Sequence, residues 1–335
     1  MSFQESDNMT RFQEGIKPFY EIYFFKFHLI QEEIAFWIRF TLHNPLQGAP
    51  YGCLWGMMFD RNNPQNRKGA IKKFNLNEIK IEKDIFHLQF GKSAIFQNGS
   101  YGGFKEKDFE IEWDLHFPLN QHSLRTYPYS LLYHLPFPKT KTVTPNLSVL
   151  YSGKIRCQGK EYLVKEAPGA QGHLWGTQHA KEWAWGHCNH FKEDSSAIFE
   201  GLSAQVKIGP WLTPHFNLFY IRLFGRDYYL NSPLRWFRNK SEYNLNQWNF
   251  EAIQGKDRFV GRVTPHPEQM LGVRYTDPDG SHRYCHHDEW AQIKLEHFQL
   301  KKGKWNLQVM LHSQAMAFEL VDSEIHSPIE MTVLG

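Results

Sequence analysis

The chain alternates hydrophobic and polar residues with a period of two over many short runs. Between Phe109 and Phe117, apolar side chains occupy every second position and are interleaved with three acidic residues and a histidine. Successive side chains of a β-strand point to opposite faces of a sheet, so this run predicts a half-buried strand. Similar runs predict strands at 20–29, 34–42, 53–59, 147–157, 162–165, 197–208, 215–224, 259–263, 272–276, 293–300, 305–312 and 315–321.

Turn sequences separate these runs and indicate hairpins. Glycine-containing turns stand at 158–159, 224–227, 254–257 and 301–304, and Asp277-Pro278-Asp279-Gly280 is typical of a type I turn with a bulge. The one helical candidate is a short turn within 75–84, capped by Asn75 or Asn77. Regular short strands joined by hairpins predict an all-β fold of antiparallel sandwiches or barrels.

A segment rich in Pro and Gly, from Glu166 to Gly172, marks a candidate domain boundary. A chain of 335 residues exceeds the size at which a single core stops growing, so two domains are expected. We therefore predict two tandem antiparallel β-barrels with few short helices, formed by residues 1–166 and 167–335. Each half has the length of one barrel of about eight to ten strands.

The most unusual stretch is 172–189, which carries three of the 11 Trp and three of the 18 His. With a turn near Lys181, strand periodicity gives it two large polar-aromatic faces. These faces comprise His173, Trp175, Thr177 and His179 before the turn, and Trp183, Trp185, His187 and Asn189 after it. A core strand would carry Val, Ile and Leu, so this pattern favours the lining of a polar-aromatic cavity. The alternative is that the tryptophans are buried core side chains and His187 is a hydrogen-bonded core histidine.

Glu21 is a second candidate, because it stands between aromatic residues in an otherwise apolar predicted strand. Such an acid lies either on the solvent face or in the interior beside a partner. A carboxylic acid buried among aromatic side chains is a candidate proton donor.

Composition and charge exclude several classes of protein. The net charge is only +3 and the Lys and Arg residues are scattered, so binding to nucleic acid is not expected. The four cysteines lack the spacing of a disulfide framework or a zinc ribbon. No apolar run suits a signal peptide or a membrane-spanning helix, so we expect a soluble, cytoplasmic protein. The sequence does not indicate an oligomeric state.

The abundance of histidine leaves a metal site as an alternative. The candidate zinc ligands are His173, His179, His187, His190, His286 and His287. Their spacing matches no compact zinc motif, and surface histidines explain the cluster from Cys285 to Asp288 equally well. We therefore assign no metal ligand and expect no cofactor. The sequence contains no nucleophile elbow, phosphate-binding loop or dinucleotide-binding motif.

Two stretches of the chain resemble a known superfamily. The segment Phe-Tyr-Glu-Ile-Tyr-Phe-Phe-Lys-Phe at 19–27 is similar to the start of a lipocalin-like group. That group includes tocopherol cyclase, carotenoid 1,2-hydratase (hydroxyneurosporene synthase) and the lipocalin-like Diels–Alderases. Trp-Gly-Thr-Gln-His, followed after three residues by Trp-Ala-Trp-Gly-His-Cys-Asn-x-Phe, at 175–191 resembles the signature that starts the group's second barrel. The segments 200–202 and 272–277 also fit, so the resemblance extends over roughly 18–321.

The resemblance implies two consecutive calycin barrels and a long isoprenoid or polyene bound in an apolar cavity. The residues that would line that cavity are Trp183, Trp185, His187 and Asn189, with His173, Trp175 and His179 near its mouth. Glu21 and Tyr23 match the first motif of the group.

We therefore predict an enzyme that cyclises or hydrates a hydrophobic isoprenoid- or polyketide-like small molecule. The reaction would need no cofactor and would proceed by acid catalysis or by confinement. His187 is the first candidate for the proton donor and Glu21 is the second, while the rings of Trp183 and Trp185 would stabilise a carbocation. Two alternatives remain, a non-catalytic lipid or isoprenoid carrier and a metal-dependent enzyme with histidine ligands.

Overall fold

In the computed structural model, the protein is described over residues 3–119, 123–208, 210–325 and 329–335. Over these residues the α-helices are α1 (Phe3–Asn8) and α2 (Pro233–Trp236), with 3₁₀ turns at Pro64–Asn66, Leu76–Glu78, Ser130–Tyr133 and Pro267–Gln269. The predicted short turn near Asn75 is one of them, and Glu78 Oε2 accepts the Asn75 N–H at 2.9 Å. Antiparallel strands make up most of the remainder, so the all-β prediction is confirmed. None of the described helices has the length and apolar character needed to cross a membrane.

The first sheet is built from the first half of the chain. Its strands are β1 (Phe19–Leu29), β2 (Ile34–Asn44), β3 (Tyr51–Asp60), β4 (Lys68–Asn75), β5 (Ile79–Ile81), β6 (His87–Phe90), β7 (Ser93–Phe96), β8 (Gly99–Glu106), β9 (Phe109–His116), β10 (Leu124–Arg125), β11 (Thr140–Cys157) and β12 (Lys160–Gly176). They are ordered β4-β3-β2-β1-β12-β11-β9-β8-β7-β6-β5, with β10 paired to β11. The predicted alternating run at 109–117 is β9, in which every second residue is buried.

The remaining strands form the second large sheet and one small sheet. These are β13 (Glu182–Cys188), β14 (Ile198–Gln205), β15 (Lys207–Ile208), β16 (Trp211–Leu212), β17 (Phe216–Leu223), β18 (Arg226–Leu230), β19 (Lys240–Asn244), β20 (Gln247–Gln254), β21 (Asp257–Thr264), β22 (Leu271–Thr276), β23 (His282–Lys301), β24 (Lys304–Asp322) and β25 (Met331–Leu334). Their order is β18-β17-β14-β13-β24-β23-β21-β20-β19, with β22 paired to β23 and β25. The pair β15-β16 forms a small separate sheet.

Each large sheet curls around a hydrophobic core of its own. In the first sheet, Phe74 of β4 and Phe90 of β6 come from opposite ends of the strand order, and their ring centroids lie 5.7 Å apart. In the second, Tyr228 of β18 and Phe259 of β21 make the corresponding contact at 4.7 Å. A sheet whose two ends share one core has the architecture of a barrel. The prediction of two tandem antiparallel barrels is therefore confirmed.

The described residues form two compact units. The first comprises Met1–His179, Arg274–His282 and Thr332–Gly335, and the second comprises Ala180–Val273 and Arg283–Met331. The predicted division after residue 166 falls inside β12, where Glu166 has a φ of 49° and the register with β11 shifts nearby. Farther along, a Cβ at Gly169 would lie 2.2 Å from the Lys26 carbonyl oxygen, so close strand approach requires glycine there. The Pro/Gly-rich composition thus marks an irregular part of a continuing strand.

Candidate active site

Glu21 lies on the inner face of the first sheet. Tyr23 and the apolar residues that follow at every second position of β1 belong to the first core. Glu21 is two positions before Tyr23, so its side chain points to the same, inner face of the sheet. The antiparallel register pairs Glu21 with Trp175 and Tyr23 with His173. Four residues selected from the sequence, separated by about 150 positions, therefore share one face, and Glu21 and His173 are completely buried.

The Glu21 carboxylate receives a full set of hydrogen bonds. Its Oε1 accepts from the backbone N–H of Arg11 at 2.8 Å and from the Tyr23 hydroxyl at 2.9 Å. Its Oε2 accepts from the backbone N–H of Phe12 at 2.8 Å. The ring nitrogen Nε2 of His173 lies 2.8 Å from Oε1. Of the two possibilities left open by the sequence, the structure selects the buried, partnered acid.

One proton must lie between Glu21 and His173. The other ring nitrogen of His173, Nδ1, is 2.6 Å from the backbone carbonyl of Asp7, and a carbonyl oxygen only accepts hydrogen bonds. Nδ1 therefore carries a hydrogen, and the contact between Nε2 and Oε1 requires a further proton on one side or the other. The pair is either an imidazolium with a carboxylate or an imidazole with a carboxylic acid. In both states it holds a transferable proton.

Aromatic rings surround this pair. The Tyr23 ring stacks on His173 with centroids 4.1 Å apart, and the Trp175 ring lies 4.8 Å from His173. The Arg11 guanidinium lies 5.2 Å from the Trp175 ring centroid, so this ring already stabilises a cation. Burial, together with the negative charge of Glu21, raises the pKa of Tyr23 well above its usual value. The Tyr23 hydroxyl therefore remains protonated and keeps donating to Glu21.

The N-terminal segment holds the pair in position. Residues 7–12 supply two backbone amides and one carbonyl to it, as described above. The Asp7 carboxylate anchors this segment, because its Oδ1 accepts from Arg125 at 2.7 Å and its Oδ2 accepts from Ser123 at 3.0 Å. The sequence does not reveal this contribution, since backbone groups of any residue type could make it.

His179 belongs to a different group, on the outer face of the first sheet. Its ring stacks on Tyr20 with centroids 4.2 Å apart. Tyr20 is next to Glu21 on β1, so its side chain points to the opposite, outer face of the sheet. The His179 Nδ1 lies 2.5 Å from Asp277 Oδ1, which also accepts the backbone N–H of His179. Asp277 begins the predicted turn, in which the Gly280 N–H donates to its carbonyl and Gly280 has a φ of 86°. The structure thus separates His179 from His173.

A small cavity of about 20 Å³ lies beside His179, which is room for roughly one water molecule. The Arg39 guanidinium lines it and lies 4.7 Å from the Trp55 ring and 4.6 Å from the Tyr275 ring. The Nε2 of His43 faces the carbonyl of Thr276 at 3.2 Å. Burial lowers the pKa of His43 to about 4, so its ring is neutral near pH 7.

The remaining predicted residues lie in the second unit, on β13 and just after it. Ala184 and Cys188 belong to the second core, and a Cβ at Gly186 would lie 2.2 Å from Met316 Cε. The small face of β13 therefore points into the core. The opposite face carries the residues singled out in the sequence, Trp183, Trp185 and His187, and Asn189 follows the end of the strand. His187 is completely buried, and its ring stacks on Trp185 with centroids 6.5 Å apart.

A concave surface of about 590 Å³ also lies in the second unit. Charged side chains line much of it, and they come from Lys240, Glu242, Glu251, Arg262, Lys294 and Glu296. None of the residues predicted from the sequence is among them. A surface with this lining does not suit a hydrophobic ligand.

Comparison with known proteins places the chain in a family. The family model described as tocopherol cyclase-like matches residues 147–321, more than half of the chain. Two uncharacterised proteins of Mycobacterium tuberculosis, from strains CDC 1551 and H37Rv, are each 25% identical over 186 residues. The match covers 56% of this chain and 55% of each relative, so the chain spans about half the length of these curated relatives.

A solved structure shares the fold. A putative AttH from Nitrosomonas europaea superposes with a TM-score of 0.55 at 9% identity, over 92% of both chains. Kievitone hydratase from Nectria haematococca superposes with a TM-score of 0.48 at 11% identity, over 90% of this chain and 87% of the other. Since the family model matches more than half of its length, the chain belongs to the tocopherol cyclase-like family.

Proposed function

We propose that the chain binds a hydrophobic isoprenoid- or polyketide-like small molecule in its first barrel and cyclises or hydrates it by acid catalysis without a cofactor. The observation that carries this proposal is the buried pair of Glu21 and His173, which holds one transferable proton beside aromatic rings. Membership in the tocopherol cyclase-like family supports the class of reaction.

The proposed reaction begins with transfer of the shared proton from the pair to one carbon of an alkene in the ligand. A C–H bond forms, and the neighbouring carbon becomes a cation that the faces of Trp175 and Tyr23 stabilise. In a cyclisation, an oxygen of the ligand attacks this cation, and in a hydration a water molecule attacks it. The oxygen then loses a proton, which returns to Glu21 and His173, so the pair is restored.

His187 is the second candidate for the proton donor in this proposal, with Trp183, Trp185 and Asn189 as its neighbours. Its complete burial and its stacking on Trp185 support the assignment. We rank Glu21 first because its side chain points into its barrel. On β13 the small residues Ala184 and Cys188 point inward, and His187 is on the opposite face.

The test begins with whatever the purified protein already holds. Solvent extraction followed by mass spectrometry would identify the co-purified molecule, which is then added back to ligand-free protein. We expect a product of unchanged mass for a cyclisation, or of one added water for a hydration. Glu21→Gln preserves the size of the side chain but removes the shared proton, so turnover should fall on the order of 100-fold or more.

Glu32→Gln serves as the matched control, because Glu32 is exposed in the turn that follows β1 and its replacement should leave turnover unchanged. Unchanged turnover in Glu21→Gln, together with a loss in His187→Gln, would transfer the role of donor to His187. A bound molecule that the wild-type protein never converts would identify a carrier and end the proposal of catalysis.

A further inference from the structure

The outer face of the second sheet carries a compact group of side chains that the proposed reaction does not use. Cys285 and His287 lie two positions apart on β23, and the register pairs His287 with Glu319 of β24. The flanking residues of β24, Phe318 and Leu320, belong to the second core, so Glu319 and its strand partner point away from that core. The sulfur, a ring nitrogen and a carboxylate oxygen of these residues lie within 4.8 Å of one another, and all three residues are buried.

Glu289 determines how the imidazole of this group is oriented. The Nε2 of His287 lies 2.8 Å from Glu289 Oε1, and its Nδ1 lies 3.2 Å from Glu319 Oε1. A neutral His287 that donates its Nε2–H to Glu289 directs the Nδ1 lone pair towards Glu319. Metal-ligating histidines commonly donate their second N–H to a carboxylate in this way, which fixes the tautomer and the ring plane.

The chemistry of the donors selects the metal. Thiolate sulfur, imidazole nitrogen and carboxylate oxygen are the three donor types that bind Zn²⁺, whereas Mg²⁺ and Ca²⁺ prefer oxygen ligands only. With zinc–donor distances of about 2.0–2.3 Å, a tetrahedral site needs its donors about 3.4–3.7 Å apart. The 3.2 Å between Nδ1 and Glu319 Oε1 is close to that spacing, and the other donor pairs, which lie within 4.8 Å, need to shorten by at most about 1 Å.

We propose that Cys285, His287 and Glu319 bind one Zn²⁺ ion, with Glu289 as the residue that positions the imidazole. Three protein ligands leave the fourth tetrahedral position to water or to an exchangeable small molecule. The site is independent of the proposed function, because none of its residues belongs to the Glu21 group. The rival occupant of the same position is a proton on Nδ1, which would make His287 a cation between two carboxylates.

The test uses the full chain without a histidine tag, freed of metal by a chelator and then titrated with Zn²⁺ alone against a chromophoric chelator. We expect one Zn²⁺ per chain. Cys285→Ala and Glu319→Gln remove ligands and should each weaken binding at least 10-fold, whereas Glu289→Gln should weaken it about 10- to 100-fold. Cys188→Ala, at a buried cysteine of the second core, is the matched control and should bind as the wild type does.

Substitution with Co²⁺ keeps the proposal testable if a variant fails to fold. Wild-type protein loaded with Co²⁺ should show the near-ultraviolet absorption of a thiolate–cobalt bond, and Cys285→Ser should lose this band while retaining its circular dichroism. Failure of the wild type to take up stoichiometric Zn²⁺ would overturn the site in favour of the protonated histidine. Uptake that Cys285→Ala leaves unchanged, or a Co²⁺ spectrum without the thiolate band, would also overturn it.

Discussion

Many histidines of this protein are paired with carboxylates. The pairs are His173–Glu21, His179–Asp277, His215–Glu182, His266–Asp288, His287–Glu289, His297–Asp257 and His312–Glu193. An unpaired charge inside a protein costs several kcal/mol, so a buried acid needs a partner that can share or neutralise its charge. The abundance of histidine noted in the sequence is therefore partly explained by the buried acids.

His43 is expected to make the protein less stable in acid. Burial lowers the pKa of His43 from 6.5 to about 4, although the Thr276 carbonyl acts in the opposite direction. The unfolded chain takes up a proton at this side chain near pH 6.5, whereas the folded protein does so only near pH 4. The contribution to the free energy of unfolding is therefore complete above pH 6.5 and declines towards pH 4, by about 3 kcal/mol in total.

Denaturant titrations at a series of pH values would measure this effect. His43→Gln should show a shallower decline of stability between pH 6.5 and pH 4 than the wild type, while His116→Gln, at an exposed position of β9, should retain the wild-type decline. Parallel curves for the wild type and His43→Gln would contradict the lowered pKa.

At the scale of elements, strand periodicity identifies which residues share a face but not which face is inside. On β13 it correctly groups Trp183, Trp185 and His187, yet the structure directs their small neighbours into the core. On β1 the same periodicity groups Glu21 with Tyr23, and there the inward face is theirs. The pairing of β1 with β12 is also absent from any local pattern, because it joins segments about 150 residues apart.

The sequence did not reveal that the N-terminal segment contributes to the site, and the reason is physical. This segment contributes the Asp7 carbonyl and the amides of Arg11 and Phe12 to the site, and backbone groups carry no sequence pattern. Of the cluster of Cys285, His287 and Glu319, the sequence offered only His287 as a candidate metal ligand, and no ligand was assigned. Glu319 joins Cys285 and His287 through the register of two long strands, which a sequence alone does not specify.

Asp7→Ala should loosen this segment without unfolding the first core. The Asp7 carboxylate is buried and accepts from Arg125, and hydrogen bonds to a charged group contribute about 1.5–3 kcal/mol. Local opening should therefore make the amides of Arg11 and Phe12 exchange with deuterium about 10- to 100-fold faster, since each 1.36 kcal/mol is a factor of ten. Hydrogen-exchange mass spectrometry of the N-terminal peptide measures this rate.

Glu14→Gln is the control for that measurement, because the Glu14 side chain is exposed in the same stretch of chain. Exchange as slow in Asp7→Ala as in the Glu14→Gln control would show that other contacts hold the segment.

At the scale of the whole molecule, the sequence predicted the all-β fold class, which the structure confirms. Alternation and turn composition are local patterns, and they are sufficient to predict antiparallel sheets or barrels, while the length of the chain predicts two of them. The extent of each unit depends on long-range packing. Residues 274–282 and 332–335 belong to the first unit although they are remote from it in sequence, and no local composition marks them.

The four cysteines provide a test of these two units. All are buried, two in each unit, and burial raises the pKa of Cys53 to about 11 and that of Cys157 to about 12. A thiol reagent at pH 8 should therefore leave the native protein unmodified. In rising denaturant, Cys53 should become reactive together with Cys157, and Cys188 together with Cys285, because each unit has one cooperative core.

Peptide mass spectrometry after a short labelling pulse identifies which thiols have reacted. Ser323→Cys, at an exposed position, is the positive control and should be labelled at once in the native protein. Labelling of Cys53 while Cys157 stays protected would contradict a single cooperative core in the first unit.

The discontinuous first unit has a consequence for biosynthesis. Domains generally fold as units while the ribosome is still adding residues, beginning with the N-terminal one. Here the first unit includes Arg274–His282 and Thr332–Gly335, so its last pieces are translated only after most of the second unit. All twelve strands of the first sheet lie within residues 19–176 and are translated before the second unit, so the first barrel can form early, and its unit gains these last segments only later.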